Sequence, residues 1–282
     1  MTGAGDPSPD RSTLALPRWL ASARRAAARP APRARAGLHH GARGPAIGSI
    51  DPDLARRIAA AGLPLRPCVG GWAIEGDLDA SLAAIAGWLL EQPLGLRRRH
   101  ELLPVVDGDG RTLGGVERGV VRVLGLRSFA VHLSGRSARG GFWVQQRAFD
   151  KATDPGRWDT LMGGQMALGE SIEATLERET EEEAGLVLAD LADLRRGPDV
   201  TVRRAVPEGW MDERIAVFRA VLRDDVVPTN RDGEVVRFDC LDEPALRARL
   251  AAGAFTLEAT LILGAELEPR DAPGARKRRA GR

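Results

Sequence analysis

Cysteine, tyrosine and lysine are nearly missing from this sequence. Its 282 residues include two cysteines and no tyrosine, and its only lysines are Lys151 and Lys277. Cys68 and Cys240 lie far apart in the sequence, which excludes a disulfide framework and a Cys-x-x-Cys zinc site. We therefore expect a reducing, cytoplasmic compartment.

Long apolar runs and a strong excess of one charge are also missing. No apolar run approaches the ~20 residues that a membrane-spanning helix needs, so no membrane partner is expected. The 41 Lys and Arg residues nearly balance the 39 Asp and Glu residues, and the net charge of +2 does not favour a nucleic-acid partner. Because almost every basic residue is arginine, arginine alone is a weak functional signal here. The oligomeric state stays open.

The pattern of the chain changes near residue 125. Before it, Asp51-Pro52 and Asp77 are typical helix starts, and short strand-like runs follow them. After it, strands and helices interleave, which predicts an α/β (α+β) fold with helices covering a sheet. We predict a disordered arm (1–15), a small α+β domain (16–125), a larger α/β domain (126–268) and a basic tail (269–282).

An acidic helix stands out between Ser171 and Gly185. Glu179, Glu182 and Glu183 have helical i, i+3 and i+4 spacing, so they share one face. Like charges at this spacing destabilise a helix by a few tenths of a kcal/mol per pair. A solvated charge run would tolerate that cost. The same arrangement also presents the hard oxygen ligands that Mg²⁺ prefers.

The residues before this helix add to the pattern. Gly163-Gly164 allows a close backbone approach and can leave a carbonyl oxygen available to a metal. Glu170 precedes Arg178 by eight residues, a spacing that lets an acid at the helix start pair with an arginine two turns later. Such a pair would fix the loop against the helix, although the spacing equally allows a weak surface ion pair.

Together these residues resemble a known signature. The string from Gly164 to Leu186 is similar to the Nudix box, G-x5-E-x7-R-E-U-x-E-E-x-G-U, where U is a bulky apolar residue. Eight of the nine specified positions agree, and only Thr180 replaces an apolar residue. Since Thr resembles Val in shape, this departure affects packing more than chemistry.

The resemblance implies a fold and a set of roles. The fold would be the Nudix α/β/α sandwich with a mixed sheet, and the activity would be hydrolysis of an organic diphosphate at Mg²⁺, with Mn²⁺ as an alternative. Glu179, Glu182 and Glu183 would be catalytic residues and metal ligands, with Arg178 and Glu170 orienting them. The Gly164 carbonyl and the downstream acid Glu234 would complete the metal site, unless Glu234 is only an acid of a hairpin turn. Either Glu179 or Glu183 would be the general base.

The flanking segments resemble one branch of the superfamily. Segments 142–147, 150–160 and 232–235 are similar to the thiamin-pyrophosphokinase-related group, which carries an uncharacterised domain ahead of the Nudix fold. That branch implies thiamine diphosphate or its oxidised analogues as substrates, cleaved to the monophosphate. Nucleoside diphosphate derivatives of the ADP-ribose, NADH or coenzyme A type are the alternative.

The organic end of a substrate would be held outside the box. Trp143 and Trp158 are candidates to stack on a planar ring, as are Phe142 and Trp210, although each is also a natural core residue. Lys151 and Arg157, in the loop before Gly163, could both contact phosphate. Lys151 is the better candidate of the two because arginine is so common in this chain.

Two other functions share the fold. A prenyl-diphosphate isomerase would resemble relatives that use a cysteine near the Trp loop, and Trp158 to Gly164 contains none. A non-catalytic Nudix module that senses a ligand would have no need to keep three costly acids on one face.

Overall fold

The computed structural model describes residues 16–268. The predicted arm (1–15) and basic tail (269–282) lie outside the described residues. The N-terminal half begins with a helix and continues as an α+β unit, in the following order: α1 (Arg18–Ala27), β1 (Ala36–His40), β2 (Ala46–Ile50), α2 (Pro52–Ala60), β3 (Leu65–Cys68), β4 (Gly71–Ile74), α3 (Leu78–Glu91), β5 (Leu102–Val106) and β6 (Thr112–Glu117).

The C-terminal half alternates strands with three helices. It starts after a short 3₁₀ turn, Arg118–Val120, and a second 3₁₀ turn, Leu188–Asp190, follows its first helix. Its elements are β7 (Arg127–Ser137), β8 (Phe142–Arg147), β9 (Trp158–Asp159), β10 (Met162–Gln165), α4 (Ile172–Ala184), β11 (Leu191–Arg196), β12 (Val200–Val206), β13 (Gly209–Leu222), β14 (Val235–Leu241), α5 (Glu243–Ala251) and α6 (Leu257–Glu266).

The helices of the N-terminal unit begin where the sequence predicted. The Asp51 carboxylate accepts backbone N–H bonds from Asp53 and Leu54, and Asp77 accepts one from Ala80. These bonds satisfy amide groups that a helix start leaves without partners. The unit has a four-stranded sheet in the order β2-β1-β4-β3, a separate β5–β6 hairpin and a shared apolar core.

The C-terminal half is built on one mixed sheet of eight strands. Its main path is β11-β13-β7-β8-β14; β10 pairs with β7, β12 with β13 and β9 with β8. β13 and β7 are parallel, whereas β8 and β14 are antiparallel. Because side chains alternate along a strand, Val131 packs with Leu176 of α4, while Ala130 packs with Ile262 of α6. Helices therefore cover both faces, and the predicted α/β/α sandwich is confirmed.

Helix α1 packs on the C-terminal half although it precedes the N-terminal unit. Ala23 and Ala27 are buried in the same apolar cluster as Ile262, and Trp19 packs beside α5 and α6. Arg24 pairs with Glu268 across this contact. Helix α1 therefore packs on the C-terminal half, whereas the elements from β1 to β6 that follow it form the N-terminal unit.

The two halves are joined by backbone hydrogen bonds. The Leu168 N–H donates to the Leu102 carbonyl at 2.8 Å, and the Trp210 N–H donates to the Arg122 carbonyl at 2.8 Å. The first of these bonds ties the β5–β6 hairpin to the loop that leads into α4. Within residues 16–268, no helix combines the length and the apolar character needed to cross a membrane.

Candidate active site

Helix α4 carries the acidic residues and is fixed at both ends. The Ser171 hydroxyl accepts from the Ala174 N–H at 3.1 Å, and Gly185 takes the left-handed conformation, with φ of 65°, that ends the helix. Leu176 and Thr180 are buried against the sheet. The acids are thereby held at the edge of α4 that runs beside β10.

Arg178 donates hydrogen bonds to three carboxylates, those of Glu170, Glu179 and Glu182, and we call this group the carboxylate bracket. Its guanidinium donates to both oxygens of Glu170, at 2.6 and 2.9 Å, and to Glu179 and Glu182 at 2.8 and 3.0 Å. It also donates to the Gln165 carbonyl at 3.2 Å. The pair that the sequence suggested therefore forms, and the hydrogen bonds from Arg178 lower the pKa of Glu170 to about 2. The bracket fixes the loop before α4 to the helix and sets the positions of two acids.

Glu183 lies on the inner side of the acidic edge and is 2% exposed. Its Oε2 atom accepts from the Gly163 N–H at 3.0 Å and from the Gln145 amide at 2.9 Å. Burial raises the pKa of Glu183 to about 7, despite these two donors. Burial also raises the pKa of Glu179, and Arg178 opposes that rise.

The glycine pair has a steric role. A Cβ atom at Gly164 would lie 1.9 Å from the carboxyl carbon of Glu179, so only glycine leaves room for this acid. A Cβ atom at Gly163 would lie 2.5 Å from the ring of His132, on the other face of the sheet. Strand β10 therefore packs between the carboxylate of Glu179 and the imidazole of His132. The role of the Gly164 carbonyl as a metal ligand stays a prediction.

A second group of acids meets the helix at Glu183. Ligand oxygens of Glu183, Asp232 and Glu234 all lie within 4.8 Å of one another, and this is the one such group of three among residues 16–268. Lys151 forms an ion pair with Glu234 at the same place. The sequence predicted Glu234 but missed Asp232, which stands two residues earlier in the same turn.

The donors at this place fit a hard divalent cation. All three clustered side chains offer carboxylate oxygens, and the buried Oε1 atom of Gln145, beside Glu183, has no hydrogen-bond partner in the described part of the chain. A groove of ≈ 550 Å³ opens along the outer edge of α4, lined in part by Glu182 and Asp232. Glu182 is half-exposed, so the acidic edge faces open space as well as the protein interior.

Known proteins are similar to the half of the chain that carries this site. The family described as NUDIX domain matches residues 126–259. An isopentenyl-diphosphate Delta-isomerase of Leifsonia xyli is 30% identical over 169 residues, which cover 58% of this chain and 89% of that protein. The chain belongs to the Nudix family. The N-terminal half lies outside the family match, and the predicted domain boundaries stay a prediction.

Further relatives share about half of the chain. Nudix hydrolase 24, chloroplastic, of Arabidopsis thaliana is 35% identical over 157 residues, covering 50% of this chain and 40% of that protein. The chain thus spans about two-fifths of the length of that relative. The solved structure of DR0079 from Deinococcus radiodurans is 23% identical with a TM-score of 0.48, covering 59% of this chain and 98% of that one.

The predicted substrate-binding residues of the Nudix domain fall in different surroundings. Trp158 is 7% exposed and packs in an apolar cluster with Phe255, under the guanidinium of Arg249. Trp158 therefore contributes to the core, as does the fully buried Phe142, and stacking of Trp158 on a substrate stays a prediction. Trp143 is half-buried against the α4 core, and only Lys151 lies among the clustered acids.

A polar layer behind the Nudix acids was not predicted. The His132 ring and the Thr160 hydroxyl are 2.8 Å apart, and Asp159 lies 3.6 Å from the same ring nitrogen. Asp159 also pairs with Arg147, and its strand partner is Gln145, the amide donor to Glu183. No spacing rule finds these residues, because strands β7, β8 and β9 bring them together only in the folded sheet.

Proposed function

We propose that the protein is a metal-dependent Nudix hydrolase that cleaves the phosphoanhydride bond of an organic diphosphate. The observation that carries this proposal is the cluster of carboxylate oxygens from Glu183, Asp232 and Glu234. This cluster lies beside an open groove along α4. Acids that are buried at a cost in free energy, next to exposed ones, are typical of a site that works with a cation. Mg²⁺ is the proposed ion and Mn²⁺ its alternative.

The residues of the site would divide the work. Glu183, Asp232 and Glu234, with Glu179 and Glu182 beside them, would hold the ion, which would neutralise phosphate charge and make bound water more acidic. Arg178 and Glu170 would keep the acids in place without touching substrate. Glu179 and Glu183 are both candidates to accept the proton of the attacking water, since burial raises the pKa of each.

The substrate proposal rests on resemblance. Similarity of the segments around the box to the thiamin-pyrophosphokinase-related branch supports thiamine diphosphate or its oxidised analogues, with the monophosphate as product. Nucleoside diphosphate derivatives such as ADP-ribose, NADH and coenzyme A are the alternative within the same reaction class. Under both alternatives the substrate is a small-molecule diphosphate of the cytoplasm.

A second candidate follows from the isomerase relatives. Proteins of that name in Leifsonia xyli and Clavibacter michiganensis are 30% and 32% identical to this chain. Neither cysteine lies in the site: Cys68 is on β3 of the N-terminal half and Cys240 is on β14, with a side chain outside the acid cluster. The site geometry therefore favours hydrolysis over isomerisation.

A screen of diphosphates tests the proposal. Purified protein with Mg²⁺ is incubated with thiamine diphosphate and its oxidised forms, ADP-ribose, NADH, coenzyme A, nucleoside triphosphates and isopentenyl diphosphate. We expect a monophosphate product from at least one organic diphosphate, and loss of the product when the metal is chelated.

Two variants sharpen the screen. Glu182→Gln should lower the rate by orders of magnitude and leave the fold intact, because this side chain is half-exposed. Glu173→Gln, an exposed acid in the first turn of the same helix, is the matched control and should keep the rate. An unchanged rate in Glu182→Gln would remove the metal-site assignment, and isomerised isopentenyl diphosphate would favour the second candidate.

A further inference from the structure

The N-terminal half places one arginine at the edge of the Nudix site. Arg118 follows β6 directly, in a hairpin where Leu102 pairs with Glu117. The Leu102 carbonyl accepts the Leu168 N–H from the loop that leads into α4. Arg118 is therefore one residue from the junction between the two halves, and the hydrogen-bonded hairpin fixes its position.

The hairpin that precedes Arg118 packs on the loop held by the Arg178 contacts. A Cβ atom at Gly115 of β6 would lie 2.5 Å from the Leu168 side chain, and the Ala167 N–H of the same loop donates to Glu170 at 3.0 Å. Arg118 therefore lies next to the segment that connects the glycine pair to the acidic helix.

The Arg118 guanidinium is held by one carboxylate and keeps N–H donors without a partner in the described part of the chain. Its Nη1 atom donates to the Glu101 carboxylate at 2.6 Å, and its backbone N–H donates to the Glu101 carbonyl at 2.9 Å. Among residues 16–268, only Glu101 accepts a hydrogen bond from this side chain. A guanidinium has five N–H donors in a rigid fork, so several remain to bind an anion.

Three more arginines lie beside Arg118. The Arg99 N–H donates to the Glu117 carboxylate at 2.6 Å, and the Arg97 carbonyl lies 2.1 Å from where a Cβ atom of Gly119 would be. This contact packs segment 97–99 against the turn that contains Arg118. All three side chains are exposed, and none has an ion pair in the described part of the chain.

We propose that Arg118, with the positive segment 97–99 behind it, binds a phosphate group of the substrate in the Nudix site. A diphosphate that enters a cluster of carboxylates is repelled by them, and cations placed at the rim offset that repulsion. The N-terminal half would then be part of the substrate site, because its hairpin docks on the loop that leads into α4. This inference rests on the proposed hydrolase function.

Binding of a diphosphate without turnover tests the role of Arg118. Titration calorimetry with Mg²⁺ and methylenebisphosphonate, a non-hydrolysable diphosphate, compares the full-length protein with Arg118→Gln and Arg118→Lys. We expect the Gln variant to bind about 10- to 100-fold more weakly and the Lys variant to recover part of the loss. In kinetics, KM should rise by a similar factor while kcat changes less than about threefold.

Controls separate this inference from the proposed function. Arg111→Gln removes an exposed arginine of the same hairpin, paired with Asp107, and should bind as the unchanged protein does. If the unchanged protein hydrolyses a diphosphate and Arg118→Gln binds the probe equally well, the role of Arg118 is overturned and the hydrolase proposal stands. If the unchanged protein neither binds the probe nor turns over any diphosphate, both are overturned.

Discussion

The amide N–H of Gly163 donates to the carboxylate of Glu183 at 3.0 Å, inside the protein and against the sheet. Only this N–H and the Gln145 amide donate to that carboxylate in the described part of the chain. Two neutral donors do not offset the loss of water around a charge, which is why the pKa of Glu183 rises to about 7. The fold therefore keeps an acid at a place where it lowers stability.

The first prediction concerns the cost of this buried acid. The pKa of Glu183 is about 7 in the folded state and 4.5 as an ordinary carboxyl, so the unfolded chain loses the proton first as the pH rises. The free energy of unfolding should fall from pH 4.5 to 7 and stay lower above that. Without metal at pH 8, Glu183→Gln should therefore be more stable than the unchanged protein, by about 1–3 kcal/mol.

Urea unfolding in a chelating buffer at pH 4.5 and 8 measures this difference. Glu173→Gln is the control and should stay within about 0.5 kcal/mol of the unchanged protein at both values. Glu183→Gln should also lose any stabilisation by Mg²⁺. A variant that is less stable at pH 8 would mean that the charged form of Glu183 is favoured by the fold.

The second prediction concerns the space at Gly164. A Cβ atom there would collide with the carboxyl group of Glu179, so Gly164→Ala should displace that acid and lower the hydrolysis rate about tenfold or more. The free energy of unfolding should fall by less than about 1 kcal/mol, because the displaced group is the end of a flexible side chain. Gly108→Ala, where no atom lies within 4 Å of the new Cβ, is the matched control. Equal rates for both variants would show that Glu179 is not needed where it lies.

The third prediction concerns the carboxylate bracket. Lysine at position 178 cannot reproduce the bidentate contact with Glu170 together with the contacts to Glu179 and Glu182. We expect Arg178→Lys to lower the free energy of unfolding by about 1–3 kcal/mol and the hydrolysis rate at least tenfold. Arg56→Lys, in an exposed pair with Asp53, should change neither by more than a small amount. A fully active Arg178→Lys would separate the bracket from catalysis.

Much of the fold followed from local signals in the sequence. Asp51 and Asp77 each cap the helix that the sequence placed after them, because a short polar side chain before an apolar repeat is a local signal. The spacing from Glu170 to Arg178 gave the ion pair for the same reason. These features depend on residues within a few turns of one another.

The features that the sequence missed depend on contacts between distant segments. Trp158 looked like a stacking residue, yet an apolar cluster formed with Phe255 of a segment almost a hundred residues later buries it. Asp232 belongs to the acid cluster only because the turn before β14 lies against Glu183 of α4. The packing of α1 on the C-terminal half likewise has no local signal.

The fourth prediction concerns the acids of that turn. Asp232→Asn and Glu234→Gln should each weaken Mg²⁺ binding, by about tenfold, because each removes a charged oxygen from the group around Glu183. Calorimetric titration with MgCl₂ measures the change. Asp225→Asn, an exposed acid before the same turn, is the control and should bind as before. Unchanged binding in both site variants would limit the metal site to the acids of α4.

Binding of Mn²⁺, followed by electron paramagnetic resonance, tests the central claim most directly. The signal of unbound Mn²⁺ should fall when the full-length protein is added and fall further with methylenebisphosphonate, because the ion would be held between the acids of α4 and the phosphates. A variant with Glu179, Glu182 and Glu183 all changed to Gln should leave the signal near that of Mn²⁺ alone. An equal signal for the two proteins would contradict the claim that these acids bind a divalent cation.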